Sequence, residues 1–182
     1  KNFDFTEKRK IIFSNKKDSI PETGIVMIDA NHKEVCRQKS EEEGSLVKDF
    51  YDRLLGSTFL DENDNKKIMD EEDILVVAPY NVQVNYLKSI LPKGAKVGTI
   101  DKFQGQQAPA TIISMTTSDP ESLPRNVDFF FSRNRLNVAI SRSQCLSIII
   151  MNKKILEIAC KKIKHIHLVN TFMKLLEFEK KI

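Results

Sequence analysis

The sequence predicts an α/β domain with a mostly parallel sheet covered by helices on both faces. Short, almost wholly apolar runs recur at residues 24–29, 74–78, 97–100, 110–116 and 146–151. Runs that are apolar on both sides of the pleat are the pattern of buried parallel strands. Stretches with apolar residues at helical spacing alternate with them. Polar residues collect where the apolar runs end, and open α/β sheets hold their ligand-binding groups at strand ends.

Length and composition set the outer limits. A chain of 182 residues with 41% hydrophobic residues buries one sizeable core and leaves no room for a second full domain. The net charge of +4, from 29 basic and 25 acidic residues, is compatible with a nucleic-acid surface but is also ordinary for soluble proteins, so it selects no partner. Cys36, Cys145 and Cys160 are odd in number and widely spaced, with no Cys-x-x-Cys and no signal peptide. That pattern argues for a reducing cytoplasm and against a disulfide scaffold or zinc ribbon. No apolar run reaches the ~20 residues of a membrane helix. The chain opens on Lys1 and contains no phosphate loop of the form G-x-x-x-x-G-K-[ST], so we expect a fragment whose nucleotide-cradling half lies upstream.

Residues 1–23 are lysine-rich and weakly patterned, with Ile11, Ile12 and Phe13 as the one candidate strand; residues 24–182 carry the domain. After the strand at 24–29, Ser40 with Glu43 forms a capping-box pattern ahead of Leu46, Val47, Phe50, Tyr51, Leu54 and Leu55, and Gly56 closes that helix. The acids at 41–43 fall in its first turn, where they complement the helix dipole, and read as a cap rather than a metal site. His32 and Cys36 lie four apart without a third ligand nearby. Residues 60–73 read as a charged loop, and the acids at 70–73 precede a strand rather than follow one, so they read as solvated.

The strand at 74–78 leads through Pro79-Tyr80-Asn81 into a helix with Val82, Tyr86, Leu87, Ile90 and Leu91 on its inner face, Asn81 as its N-cap and Pro92 as its stop. Beyond the strand at 146–151, Ile155, Leu156, Ala159, Cys160 and Ile163 form one stripe and Leu168, Phe172, Leu175 and Leu176 another. These predict two terminal helices packed on the sheet, with Met173 in the core. His165 and His167 are two apart and point different ways on a helix, which makes no metal pair.

The chemistry concentrates between residues 96 and 151. Residues 101–107 set a carboxylate, a lysine, three glutamines and a glycine behind a strand. Thr99 ends that strand with Asp101 and Lys102 beside it, and a hydroxyl and backbone amides at a strand end can hold a nucleic-acid phosphate without reading the base. Gly105 permits close backbone approach, and Gln104 can donate and accept at once. Residues 135–142 read as a short helix on which Arg135 and Arg142, seven apart or about two turns, share a face suited to polyphosphate. Phe129-Phe130-Phe131 lies among basic residues and is open to base stacking or to burial against a helix; three adjacent phenylalanines favour burial.

At these residues the chain resembles the second RecA-like motor domain of superfamily 1 DNA and RNA helicases, in the branch of the nonsense-mediated-decay helicase. TIDKFQGQQ is similar to that family's motif V, NRLNVAISRS to its motif VI, and VVAPYNVQVNYL to its motif IV. The similarity extends over residues 29–176 to the helicase half of bacterial proteins that join a RecB-like nuclease to such a helicase.

The resemblance implies a three-layer RecA-like domain that works as the C-terminal motor domain of an ATP-dependent helicase. It implies Arg142 as the catalytic arginine finger; Gln104, Gly105, Gln107, Arg135 and Tyr80 at the nucleotide; and Thr99, Asn81, Gln83, Asp101 and Lys102 on single-stranded nucleic acid. By themselves Tyr80 also reads as a core cover and Asn81 as a cap. ATP and Mg2+ would be held mainly by the first RecA-like domain, so this stretch alone would hydrolyse nothing. The implied partners are that first domain, single-stranded nucleic acid with DNA ahead of RNA, and a fused or associated RecB-like nuclease, with no membrane. One position departs from the family: Gln107 stands where Glu usually contacts the ribose, which keeps an acceptor and removes a charge. It motivates an alternative, an ATPase-deficient nucleic-acid-binding module, beside a second one, a domain that only docks a nuclease.

Overall fold

The structure is a computed structural model that describes residues 8–14, 20–119 and 133–157, with residues 163, 165–167, 169–170 and 173–174; at 133–136 it describes the backbone alone. Strands Gly24–Asp29 (β2), Ser143–Met151 (β8), Ala108–Ser114 (β7), Ile74–Val77 (β5) and Lys96–Gly98 (β6) lie side by side in that spatial order, all parallel. Lys10–Ile12 (β1), Thr58–Leu60 (β3) and Lys66–Ile68 (β4) form a separate antiparallel sheet in the order β1-β3-β4. Helices Glu41–Leu54 (α1), Asn81–Ile90 (α2) and Arg133–Ser141 (α3), with 3-10 turns at Glu71–Asp73, Ile100–Phe103 and Lys153–Glu157, complete the described elements.

The period-2 alternation of the strands sorts their side chains into two cores. Val26, Ile74, Val76, Ala110, Ile112, Leu146, Ile148 and Ile150 face α1, α2 and the small sheet, and pack with Val47, Phe50, Tyr51, Leu54, Val84, Leu87 and Ile11. Met27, Leu75, Val77, Ile113, Ile149 and Met151 face the other way and pack with Phe103, Ala139, Ile140, Ile155 and Val169. Helical layers on both faces of a parallel sheet give the expected three-layer α/β architecture. Burial on both faces is why β5 is apolar throughout and β7 is apolar except for Thr111 and Ser114.

Several local expectations are corrected. The supposed loop at 60–73 contains β4, which closes a hairpin on β3 through an Asp61 side chain that accepts from the Asn63 and Asn65 amides. Such Asx turns let charged residues sit between short strands. The strand expected at 110–116 runs over Ala108–Ser114, that at 97–100 stops at Gly98, and the helix expected around 135–142 is Arg133–Ser141. The N-cap of α2 is Tyr80, with Asn81 as its first helical residue and no side-chain cap bond. Val82 is 49% exposed while Gln83 is buried, so a polar residue occupies the inward position. The capping box at Ser40 is half formed: Ser40 Oγ accepts from the Glu43 amide, but the Ser40 amide donates to Gln83. In the terminal segment Ile163 is 75% and Met173 43% exposed. His165 and Val169, one helical turn apart, hold the buried face instead, and residue 163 points away from them. Ala159, Cys160, Leu168, Phe172, Leu175, Leu176 and the run Phe129-Phe130-Phe131 lie outside the described residues.

Tyr51 is fully buried on α1, and its hydroxyl has no hydrogen-bond partner among the described residues. Burial, helped by nearby Glu71, Asp52 and Asp70, pushes its phenol up to about 12 from the ordinary 10.0. The folded state therefore keeps this proton more tightly than the unfolded chain. Stability from this site is full below pH 10 and falls as pH rises towards 12. We expect Tyr51→Phe to raise stability at neutral pH by ~1 kcal/mol, by removing an unsatisfied buried hydroxyl, and to flatten the alkaline decline. Urea unfolding at pH 7 and across the alkaline window checks both; a destabilised variant counts against the unsatisfied hydroxyl.

Candidate functional site

The residues expected to carry chemistry fall at two opposite edges of the parallel sheet. At the edge where β7 and β8 begin, Arg142 closes α3 and leads into β8, while residues 104–107 lead into β7. The two strands are neighbours, and the Ala108 amide donates to the Arg142 carbonyl at 2.9 Å. The guanidinium donates from Nε to the Val138 carbonyl at 3.1 Å, from Nη1 to the Gln106 carbonyl at 3.3 Å and from Nη2 to Ser141 Oγ at 3.3 Å. All three acceptors are neutral. Gly105 has φ +80, a left-handed conformation that lets the 104–107 loop turn towards this arginine. Gln104, Gly105 and Gln107 are exposed and Arg142 is half-buried. Arg135 lies on α3, with its side chain outside the description.

A planar cation held by neutral acceptors, beside an exposed glycine turn, is suited to an anionic phosphate. The same donor set, a guanidinium and amide groups, does not fit the Mg2+ that accompanies such a phosphate. Among the described residues no three His, Cys, Asp or Glu side chains converge as metal ligands.

At the opposite edge, where β5 and β6 end, Tyr80 and Asn81 stand beside Thr99, because Val77 is level with Gly98 in the sheet and the Ala78 amide donates to the Gly98 carbonyl. Asn81, Asp101 and Lys102 are exposed; Tyr80 and Thr99 are half-buried. Burial raises the Tyr80 phenol above its ordinary range, which keeps it a neutral hydroxyl at working pH. Lys102 folds back so that Nζ donates to the Val97 carbonyl at 3.2 Å and lies 5.7 Å from the centre of the Phe103 ring. Gly98 makes room for this: a Cβ there would stand 2.5 Å from Lys102 Cδ. Ile113, level with Val77, is five residues beyond Ala108, so the two edges are separated by roughly 17 Å of strand. The turn at Ile100–Phe103 and residues 104–107 span that distance across the sheet face. Tyr80, expected at the nucleotide, therefore lies at the same edge as Thr99 and Asn81 and at the opposite edge from Arg142.

Gln83 is the one candidate turned wholly inward. Its Oε1 accepts from the Ser40 amide at 3.0 Å, and its Nε2 donates to the Ser40 carbonyl and to Ser114 Oγ, both at 3.1 Å. Its side chain is committed to the interior, which leaves no free donor or acceptor for a nucleic acid. It meets a feature that the sequence reading missed, the buried carboxylate of Glu43. Ser114 Oγ donates to Glu43 Oε2 at 2.6 Å and the Thr116 amide at 2.7 Å, while His32 Nε2 lies 3.2 Å from Oε1. A sequence signal existed: Glu43 precedes Val47, Phe50, Tyr51 and Leu54 at helical spacing and so sits on the inward stripe, whereas Glu41 and Glu42 do not. No helix among the described residues is long and apolar enough to cross a membrane.

Comparison with known proteins bears on the same segment. A family profile described as "AAA domain" matches residues 4–154. The DNA polymerase alpha-associated DNA helicase A of Schizosaccharomyces pombe is 42% identical over 77 residues, 41% of this chain and 11% of that protein. An uncharacterised ATP-dependent helicase of Caenorhabditis elegans is 31% identical over 148 residues, 81% of this chain and 9% of that protein. The RNA helicase Mov10l1 of Mus musculus is 33% identical over 95 residues, 48% of this chain and 8% of that protein. The chain thus spans about a tenth of the length of these curated relatives.

The interior role of Gln83 is testable by Gln83→Leu, which removes the partner of the buried Ser40 amide. Although leucine is more apolar, we expect a loss of ~1–3 kcal/mol, the cost of one unsatisfied buried donor, read as a lowered urea midpoint. Equal or greater stability would show that the amide holds nothing.

Proposed function

This chain belongs to the AAA domain family and is a helicase domain of superfamily 1, and from that premise we propose that it acts as the second RecA-like motor domain of an ATP-dependent helicase. The observation that carries the reading is the bond from Arg142 to the Gln106 carbonyl, which joins the two motifs expected to meet at the nucleotide into one surface. In this reading Arg142 acts as the arginine finger: its positive charge has no carboxylate partner among the described residues, and it would neutralise charge that develops on the γ-phosphate. Gln104, Gly105 and Gln107 line the same surface, with Arg135 on the adjoining helix. Thr99, Asn81, Lys102 and Asp101 would grip a single strand at the far edge, DNA in the first instance, with Tyr80 beside them. ATP and its Mg2+ would be held mainly by a first RecA-like domain elsewhere in the protein, and this stretch alone would hydrolyse nothing. The proposal extends to a RecB-like nuclease, fused or associated, which the motif resemblance supports, and to a cytoplasmic setting, which the dispersed cysteines support.

Gln107 favours one other reading, a nucleic-acid-binding module without turnover, since an exposed amide replaces the carboxylate expected at the ribose. Single-strand-stimulated ATP hydrolysis by the full-length protein separates the two. For the motor, wild type turns over and Arg142→Ala loses ~10³-fold or more in rate while nucleotide binding persists. Unchanged turnover in the variant removes the finger from Arg142, and no turnover in wild type favours the binding module.

A further inference from the structure

Thr116, immediately beyond β7, has φ +76, fully buried. A β-branched residue in that region is strained by steric conflict between its side chain and its own backbone. The Thr117 amide donates to the Met115 carbonyl at 2.9 Å, which closes a three-residue turn around Thr116 of the rare, strained γ kind. Strain of this type persists only where surrounding contacts over-determine it. Here Thr116 Oγ1 donates to the Ser114 carbonyl at 3.4 Å within its own segment, and the contact from elsewhere in the chain is Glu43, whose Oε2 accepts the Thr116 amide at 2.7 Å.

That carboxylate is also joined to α2. Through Ser114 Oγ it reaches Gln83 Nε2, and Gln83 in turn holds Ser40 at the start of α1. The turn at Thr116 sends the chain into residues 117–119, which are bonded to the loop between β2 and α1. Thr117 Oγ1 and the Ser118 amide both donate to the Cys36 carbonyl, the Cys36 amide donates to Ser118 Oγ, and Arg37 Nε donates to Asp119 Oδ2 at 2.9 Å. One buried group is therefore tied both to the first turn of the helix that opens with Asn81, through Ser114 and Gln83, and to the turn that sends the chain into residues 117–119.

We propose that Glu43 is a positioning residue: by holding Thr116 in its left-handed turn and, through Ser114 and Gln83, the start of α2, it keeps Asn81 and its neighbours at the proposed nucleic-acid edge in register with β7 and residues 117–119. The coupling half of this statement rests on the motor reading; the clamp on Thr116 does not. Glycine adopts positive φ without strain, so Thr116→Gly removes the need for the clamp.

The test uses the full-length protein with wild type, Glu43→Ala and Glu43→Ala/Thr116→Gly. Two quantities are read: hydrogen exchange over residues 112–119, and the ratio of single-strand-stimulated to basal ATP turnover per folded molecule. We expect Glu43→Ala to speed exchange and to lower the ratio towards the ~10²-fold loss that about 1 Å of misplacement can cause, and the added Thr116→Gly to restore the ratio. A purely structural role for Glu43 would reduce the folded fraction and leave the ratio unchanged. An unchanged ratio, or one that Thr116→Gly does not restore, overturns the proposal. If Glu43→Ala does not fold, Glu43→Gln replaces it. Its amide oxygen still accepts from Thr116 and Ser114, so the ratio is retained, and its loss overturns the proposal. If wild type shows no stimulation, the motor reading fails by itself, and unchanged exchange in Glu43→Ala then overturns the clamp.

Discussion

A carboxylate taken out of water must be surrounded by donors or it costs several kcal/mol. Glu43 meets that condition with a hydroxyl and a backbone amide from the end of β7 and an imidazole nitrogen from the loop after β2, and it stands in the first turn of α1, where the helix dipole favours negative charge. Much of the carboxyl edge of the sheet follows from this one requirement. Ser114 must end β7 where its hydroxyl reaches the carboxylate, Thr116 must turn its amide inward, His32 must enter from the loop after β2, and Gln83 must accompany Ser114. An apolar residue at position 43 would pack α1 on the sheet, yet it would leave the directions of these other elements open. Directional polar bonds specify one arrangement in this way, although His32 Nδ1 has no partner among the described residues.

The parallel sheet supplies the other constraint, the separation of two chemistries. In parallel strands every start lies at one edge and every end at the other, so residues before β7 and β8 cannot meet residues after β5 and β6. The chain between Gly98 and Ala108 is the exception, because it crosses the sheet face from one edge to the other within a 3-10 turn and a short loop. Phe103 anchors that crossing in the second core, against Leu75, Val77 and Ile113. A crossing of this kind joins Thr99 to Gln104 and Gly105, and hence the edge proposed to grip a single strand to the edge proposed to face phosphate.

The parts of this architecture legible in the sequence were those written in periodicity. The strands β2, β5 and β8 and the helices α1 and α2 follow from apolar runs and stripes, and the motif residues at 99–107 and 134–143 followed from a resemblance. What escaped was set by tertiary partners. Gln83 looks like a surface residue because glutamine seldom lies inward, and only its three bonds to Ser40 and Ser114 explain its burial. Glu43 was hidden among three adjacent acids that all suit a helix start. The hairpin of β3 and β4 was obscured by its charge, since a three-residue edge strand such as Lys66–Ile68 is exposed throughout and carries no apolar alternation. The separation of Tyr80 from Arg142 is invisible in sequence, because it depends on strand direction rather than on composition.

The two charged groups at the centre of the structure are treated in opposite ways, and the difference is informative. Glu43 is sealed and fully compensated, as a group whose work is to fix geometry should be. Arg142 is half-buried, oriented by three neutral acceptors and given no counter-charge among the described residues. A carboxylate in place of one of those acceptors would stabilise the free domain by a charge-assisted hydrogen bond, and it would compete with any phosphate for the same guanidinium. Holding the arginine by carbonyls and a hydroxyl fixes its orientation without a carboxylate among the described residues, and in the proposed motor reading that keeps its charge for an incoming phosphate.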